Sequence, residues 1–198
     1  MLTFSDVGQK SRQFVRQGAR VSDFSCLRPL STETQTKSQY EEMIKKLLIE
    51  RNILTYYELV TFPVSKNRGY FPDFITNMFV DGRQVIIEPH GHCDVKWMDK
   101  MKAFKEEYGN IFYVIVISQI EEKELASRLN ANIKPYMDEY WHIPHLNGNP
   151  KNDKIVKSIL EGKMSEFIRR RSDNPRPSRE APMDPLKYMG IAHAALRG

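Results

Sequence analysis

GYFPDFITNMFVDGRQVIIEPHG, residues 69–91, decides how the chain is read. Asp81-Gly82 tolerates the positive φ values of a two-residue type I′ turn, and it separates FITNMFV from RQVIIE, two runs rich in strand-forming residues. The stretch therefore predicts a β-hairpin. If Val80 pairs with Arg83, Ile75 falls opposite Glu88 and Asp73 opposite His90, and strand alternation puts all four on one face. Asp73 and Glu88 become diagonal neighbours at the end away from the turn. Pro89 removes a strand N–H, so the regular ladder should end or bulge there.

The pattern continues on both sides of the hairpin. Downstream, Asp94 can N-cap a helix carrying Trp97, Met98, Met101, Phe104 and Tyr108 at helical spacing, with Gly109 as its stop. IFYVIVIS (111–118) is continuously apolar, as in a strand covered on both faces. Strand, helix and strand make a βαβ unit. A helix over 120–129, an aromatic segment IKPYMDEYWHIPH (133–145) and a helix over 153–171 follow. Upstream, Tyr40, Ile44, Leu47, Leu48 and Arg51 mark a helix, YYELVTF (56–62) reads as a strand, and SKNRG (65–69) has loop chemistry.

At 198 residues the chain is long enough for one ordinary core plus extensions. We expect an N-terminal arm over 1–35, one α/β domain over 36–171, and a basic tail over 172–198, where Pro175, Pro177, Pro182 and Pro185 disfavour regular structure. A composition of 40% hydrophobic and 28% charged residues excludes a membrane or disordered chain. The longest apolar run, Ile111 to Ile117, is far below the roughly 20 residues that span a bilayer, and MLTFSDVGQK lacks an apolar signal core. Two cysteines, Cys26 and Cys93, make no disulfide framework and fit a reducing cytoplasm. The net charge of +5 is concentrated at the ends: residues 1–30 contribute +3 and residues 163–198 contribute +4, leaving the middle at −2. Basic flanks of this kind suit phosphate binding, or simply solubility.

The order of helix with Glu41, strand, Pro72-Asp73 hairpin, strand ending Glu88-Pro89-His90, helix and buried strand resembles the PD-(D/E)XK nuclease superfamily. RGYFPDF with DGRQVIIE is particularly similar to transposon endonuclease subunits and Holliday-junction resolvases, over roughly residues 37–120. The resemblance implies a restriction-endonuclease-like mixed β-sheet core flanked by helices, and a Mg²⁺- or Mn²⁺-dependent endonuclease acting on DNA, including branched or junction DNA. Asp73 and Glu88 would bind the metal, with the Pro89 carbonyl as a further hard oxygen and Glu41 assisting. The chemistry suits these residues: a Mg²⁺ held by one or two carboxylates leaves most of its shell to water and phosphate, neutralises developing charge and makes a water nucleophilic. Where the family has Lys, this chain has His90, whose imidazole could accept a proton or, protonated, act electrostatically. Lys96 could supply the missing positive charge. A homodimer follows from the need to cut two strands or two junction arms.

Blander readings accompany these. Pro-Asp is ordinary loop chemistry, whereas Glu88 is harder to dismiss, because a carboxylate leaving the buried run Val85-Ile86-Ile87 is costly unless paired or coordinated. Ser38 and Glu41 match a capping box, which would give Glu41 a structural duty. Lys96, Lys100 and Lys102 fit a solvated helix face. Arg169-Arg170-Arg171 could touch phosphate or merely complement a helix dipole. Tyr136, Tyr140 and Trp141 could stack on bases or belong to the core. Two rival functions remain: a catalytically silent nucleic-acid-binding or assembly module on the same fold, and an interaction protein holding zinc through His90, His92, Cys93, His142 and His145.

Overall fold

The computed structural model describes residues 29–59, 61–65, 68–91, 93–129, 132–144 and 152–172. Residues 1–28 of the expected arm and 173–198 of the expected tail lie outside the described residues, as do Cys26, His92 and His145.

The hairpin forms as the sequence predicts. Strands β4 (Phe74–Val80) and β5 (Arg83–Pro89) pair antiparallel, and Asp81 and Gly82 take φ values of 50° and 75°, both positive as a type I′ turn requires. The register is the correction. Val80 opposes Arg83 and Phe79 opposes Gln84, but beyond a bulge Ile75 opposes Ile86 and Phe74 opposes Ile87. Val85 thus stands against Thr76, Asn77 and Met78 together. The side chains of this bulge replace the lost ladder bonds: Thr76 Oγ1 donates to Val85 O (3.0 Å) and accepts from Met78 N (3.2 Å), while Gln84 Nε2 donates to Thr76 O (2.5 Å). A shift of two residues preserves strand parity. The predicted face is kept, and Asp73 moves from opposite His90 to the position opposite Glu88.

Helix α1 (Gln39–Glu50) precedes β1 (Thr55–Tyr57), which pairs antiparallel with β4. Helix α2 (Val95–Tyr108) joins β5 to β6 (Phe112–Ser118), and α3 (Glu122–Leu129) joins β6 to β7 (Glu139–His142), both pairs being parallel. The mixed five-stranded sheet has the order β1-β4-β5-β6-β7. Its ends lock locally: Asp94 Oδ1 accepts from Trp97 N (2.8 Å) at the start of α2, as expected of an N-cap.

Two helical layers bury the sheet. On one face, Met98, Met101, Phe104 and Tyr108 of α2 pack over Ile75, Ile86, Val114 and Val116. On the other, Ile44, Leu47 and Leu48 of α1 join Val156, Leu160, Met164 and Phe167 of α4 (Asp153–Ser172) over Phe74, Ile87, Ile115 and Ile117. Each such apolar side chain, fully buried, contributes about 1.5–3 kcal/mol.

YYELVTF is not one strand. β1 stops at Tyr57 because Glu58 takes φ 45°, and β2 (Phe62–Ser65) starts a separate two-stranded sheet with β3 (Arg68–Tyr70). Of SKNRG, expected as a loop, Ser65 belongs to β2 and Arg68 and Gly69 to β3, while Lys66 and Asn67 lie outside the described residues. Aromatic side chains justify this second hairpin: Phe62 meets Phe104 and Phe112 edge-on at 5.6 and 5.2 Å, and Tyr70 lies 4.4 Å from Phe104. The last residues of the expected arm are tied to the domain, since Leu30 N donates to Thr55 O (2.7 Å) and buried Lys45 Nζ donates to Thr34 O (2.8 Å). No helix among the described residues is long and apolar enough to cross a membrane.

Candidate carboxylate site

Three acidic side chains from three elements meet at the open end of the β4–β5 hairpin. Asp73 precedes β4, and its position is fixed from both sides: its N–H donates to Glu88 Oε1 (2.8 Å), and its carbonyl accepts from Glu58 N (2.9 Å). Glu88 is 2% exposed, at the C-terminal end of β5 beside Val116 of β6. In sheets with parallel strands, ligands characteristically bind at that end. Glu41, 8% exposed, reaches the same region from the first turn of α1.

The electrostatics are unbalanced. Burial, then the Glu88 and Glu41 charges, push the Asp73 carboxyl well above the usual carboxylate range. Burial likewise pushes Glu88 up to about 7, against hydrogen bonds from the Tyr70 hydroxyl and from Asp73 that favour its charged form. Each of two acids this close favours the protonated form of the other when their mutual repulsion is not compensated. Among the described residues neither is ion-paired. The Tyr70 hydroxyl is buried close by and makes no hydrogen bond of ordinary geometry, while burial and then the Glu88 charge push its pKa well above 10. The hydroxyl thus faces Glu88, the group whose charged form it favours, with no other side-chain partner of ordinary geometry among the described residues.

Glu41 is more occupied than Asp73 or Glu88. Its Oε2 accepts from Lys37 N (2.8 Å) and from the Tyr57 hydroxyl in a short bond, and its Oε1 accepts from Ser38 Oγ (3.0 Å). Ser38 Oγ in turn accepts from Glu41 N (3.2 Å). The expected capping box is therefore present in a variant form, with the Glu41 carboxylate bonded to the N–H before the N-cap. Glu41 adds negative charge to the site with both oxygens already engaged.

The His90 ring is engaged by α2. It lies flat against Trp97, with centroids 4.1 Å apart and an interplanar angle of 7°, and the His90 backbone N–H donates to Ile117 O (2.8 Å). Gln84 and His90 both donate toward β6 or the loop before it, so the Pro89 backbone faces β4. The ladder with β4 ends at Phe74–Ile87, so the missing proline N–H costs no strand bond. Pairing with β6 runs through Pro89 opposite Ile117, without the bulge the sequence suggested. The Pro89 carbonyl faces the Asp73 side.

The predicted cationic positions are dispersed. Lys96 is exposed on the first turn of α2. Arg169 and Arg170 lie near the end of α4, where Arg170 pairs with Glu139 Oε1 (2.5 Å) on β7, two strands from Glu88. The Arg171 side chain lies outside the described residues. Trp141 is core, packed edge-on to Phe167 at 5.9 Å, and the Tyr140 hydroxyl donates to Ile120 O (2.7 Å). His142 Nε2 lies 3.2 Å from Gln119 O, and buried Cys93 donates to Ser118 Oγ at 3.9 Å. Neither joins a zinc set: among the described residues no group of three or more His, Cys, Asp or Glu side chains is placed to hold a metal. The same holds for Asp73, Glu88 and Glu41, which do not form such a group of three; what remains for a cation is the Asp73 and Glu88 carboxylates and the Pro89 carbonyl, hard oxygens of the kind Mg²⁺ or Mn²⁺ takes. Such a set does not suit zinc.

Sequence reading missed four participants: Lys37, Tyr57, Glu58 and Tyr70. Tyr70 carries a usable signal, lying three residues before Asp73 in RGYFPD. Glu58 carries none, because its left-handed backbone is not encoded by a glycine or asparagine. No family model, curated protein or solved structure matches the chain.

Proposed function

We propose that the chain is a restriction-endonuclease-like, PD-(D/E)XK-type enzyme that hydrolyses DNA phosphodiester bonds with Mg²⁺ or Mn²⁺. The observation that carries this reading is the direct opposition of half-buried Asp73 and buried Glu88, with no cation ion-paired to either among the described residues. The order α1, β1, Pro-Asp hairpin, α2, β6 on a mixed sheet supports the fold assignment, and the Glu41 carboxylate on the adjoining helix supports it further.

Asp73, Glu88 and the Pro89 carbonyl would hold the cation. When bound, it neutralises charge developing on the scissile phosphate and lowers the pKa of water. Asp73 and Glu88 must be deprotonated to take on this duty, so metal affinity should rise with pH through about 7. Glu41, fixed by Tyr57, Ser38 and Lys37, strengthens the negative field that draws the cation in. His90, held on Trp97, would be the imidazole available to take up a proton there. Lys96, Arg169, Arg170 and Arg171 would contact the DNA backbone, and two copies would cut opposite strands or opposite junction arms.

The test joins a binding and a chemical readout. At pH 8, Mn²⁺ should raise the melting temperature of the wild-type protein and support nicking of plasmid or four-way-junction DNA. Asp73→Asn and Glu88→Gln should lose both responses. Equal cutting by these variants would remove the mechanism. A wild-type chain that binds DNA in a salt-dependent way but never cuts would instead favour the silent binding module, a reading that the exchange of Lys for His90 and the engagement of its ring with Trp97 give some support.

A further inference from the structure

His90 does not bring a permanent positive charge to the carboxylate pocket, so the site needs a cation from elsewhere to meet a phosphate. Lys96, the sequence candidate, projects from an exposed turn of α2. A different lysine borders the pocket. Lys37 lies just before the N-cap of α1, where its N–H is bonded to Glu41 Oε2 (2.8 Å) and is 3.3 Å from the Tyr57 hydroxyl. Its ammonium is ion-paired with Glu58. Glu58 in turn donates its N–H to the Asp73 carbonyl.

Two contacts therefore run from Lys37 through Glu58 to the backbone of Asp73, while the lysine backbone contacts Glu41. Lys37 is 40% exposed and Glu58 19%, so the pair lies at the solvent edge of the acidic cluster, outside buried Glu88. The backbone of Glu58 is also unusual. At φ 45° a glutamate occupies the left-handed region, at a cost of about 1–3 kcal/mol, and such residues concentrate at functional sites. The turn it makes ends β1 abruptly and brings an acidic side chain to this lysine. Lys37 is also the cation whose field reaches Asp73, opposing the upward shift of that carboxyl.

We infer that Lys37 is the phosphate-contacting cation of the site, held at the rim by Glu58 and released from it when the scissile phosphate of the substrate enters. An ammonium offers three rotatable donors and suits a spherical phosphate contact. Glu58 acts as a competing anion: it keeps the lysine extended along the rim in the free protein and must yield it to the substrate. This inference rests on the nuclease reading and adds the substrate contact which that reading lacks.

Opposite responses of the two partners test it. Steady-state cutting of a fluorescent duplex and a four-way junction with Mn²⁺ is measured for wild type, Lys37→Ala, Lys37→Arg and Glu58→Gln, alongside melting temperatures with and without Mn²⁺. Lys37→Ala should lower kcat/KM about 100-fold, as loss of one charge-stabilising donor does, and flatten the dependence of substrate affinity on salt by roughly one phosphate contact. Lys37→Arg should recover most of the loss. Glu58→Gln should lower KM, because the competitor has gone. A purely structural ion pair predicts the reverse for Glu58→Gln: both partners would then impair cutting in parallel with their melting temperatures. Wild-type-like cutting by Lys37→Ala, or impairment by Glu58→Gln, overturns the inference while leaving the Mn²⁺ responses of Asp73 and Glu88 intact. If the wild-type protein neither responds to Mn²⁺ nor cuts, the nuclease reading itself falls and takes this contact with it.

Discussion

Two acidic centres border the strands β5 and β6, and they are built on opposite principles. Toward the N-terminal ends, Asp138 receives Arg83 (2.7 Å), Lys105 (2.5 Å) and the Val114 N–H (2.8 Å). One carboxylate there faces two cations. At the C-terminal end of β5, Asp73 and Glu88 face one another with the third carboxylate of Glu41 nearby, and the nearest lysine is occupied by Glu58. The same side-chain chemistry is spent on holding the fold at one end and left uncompensated at the other. Local frustration of this sort persists only where the rest of the structure sustains it, and it is the common mark of a site waiting for a ligand.

The strongest way to sharpen the contrast is to break the satisfied centre. Asp138→Ala leaves Arg83 and Lys105, 23% and 11% exposed, without their carboxylate. Removing one partner of a largely buried ion pair costs about 3–5 kcal/mol. At roughly 2–4 °C per kcal/mol for a chain of this size, the melting temperature should fall by on the order of 10 °C. Metal response at the other end should survive in whatever protein remains folded.

The uncompensated centre should behave in the opposite sense. Glu88 is raised from an ordinary carboxylate value to about 7 in the folded chain. The proton it keeps therefore stabilises the fold fully below the unfolded pKa of about 4.3 and ceases to do so as pH rises through about 7. In chelator, stability should decline over that window by an amount on the order of 3 kcal/mol. Glu88→Gln, which mimics the protonated acid and can still accept from Asp73 N, should flatten the decline and be the more stable protein at pH 8. Mn²⁺ should restore wild type at pH 8 and leave Glu88→Gln unchanged. Melting curves at several pH values decide this, and a wild-type profile without slope between pH 5 and 7 would mean the two centres differ less than their contacts suggest.

How this contrast was encoded explains what could be read from the chain. Asp81-Gly82, the alternation around it and the apolar run of β6 are local signals, and they gave the hairpin, its face and the buried strand directly. The capping Ser38 and Asp94 were equally legible. The bulge was not, because Thr76 and Gln84 are ordinary strand residues whose role arises only once they bond across the hairpin. Since the bulge moves the register by two residues, it left the shared face intact and converted a diagonal Asp73–Glu88 relation into a direct one. The pairing of Lys37 with Glu58 depends on a left-handed residue that no local motif announces. Asp138 passed unnoticed for a similar reason, because its partners come from 33 and 55 residues away.

The bulge supplies the next test. Thr76→Val keeps the shape and removes the hydroxyl that bonds to Val85 O and Met78 N, leaving both backbone groups wanting partners in a buried position. A loss of about 1–3 kcal/mol is expected. If the register is what brings Asp73 against Glu88, the Mn²⁺-induced rise in melting temperature should shrink as well, although Thr76 lies on neither side of the cluster. Destabilisation with an undiminished Mn²⁺ response would separate the bulge from the site.

The smallest expected effect concerns the rim beside His90 and involves no charge. A Cβ on Gly91 would lie 3.3 Å from Tyr40 Cε2, in a chain whose backbone there does not require positive φ. The glycine is needed for proximity to α1, not for conformation. Gly91→Ala should therefore push the Tyr40 ring aside at a cost of about 1 kcal/mol, within the range of mild overpacking. Because Tyr40 is on the helix that carries Glu41, the displacement should reach the acidic centre and leave Asp138 untouched. Tyr40→Ala would remove the opposing ring, so the double variant should lose less stability than the two single losses together. Contacting residues typically show such coupling at about 0.5–3 kcal/mol in a double-mutant cycle. Strict additivity would mean that the loop after β5 yields instead of α1, and that the rim and the helix bearing Glu41 move independently.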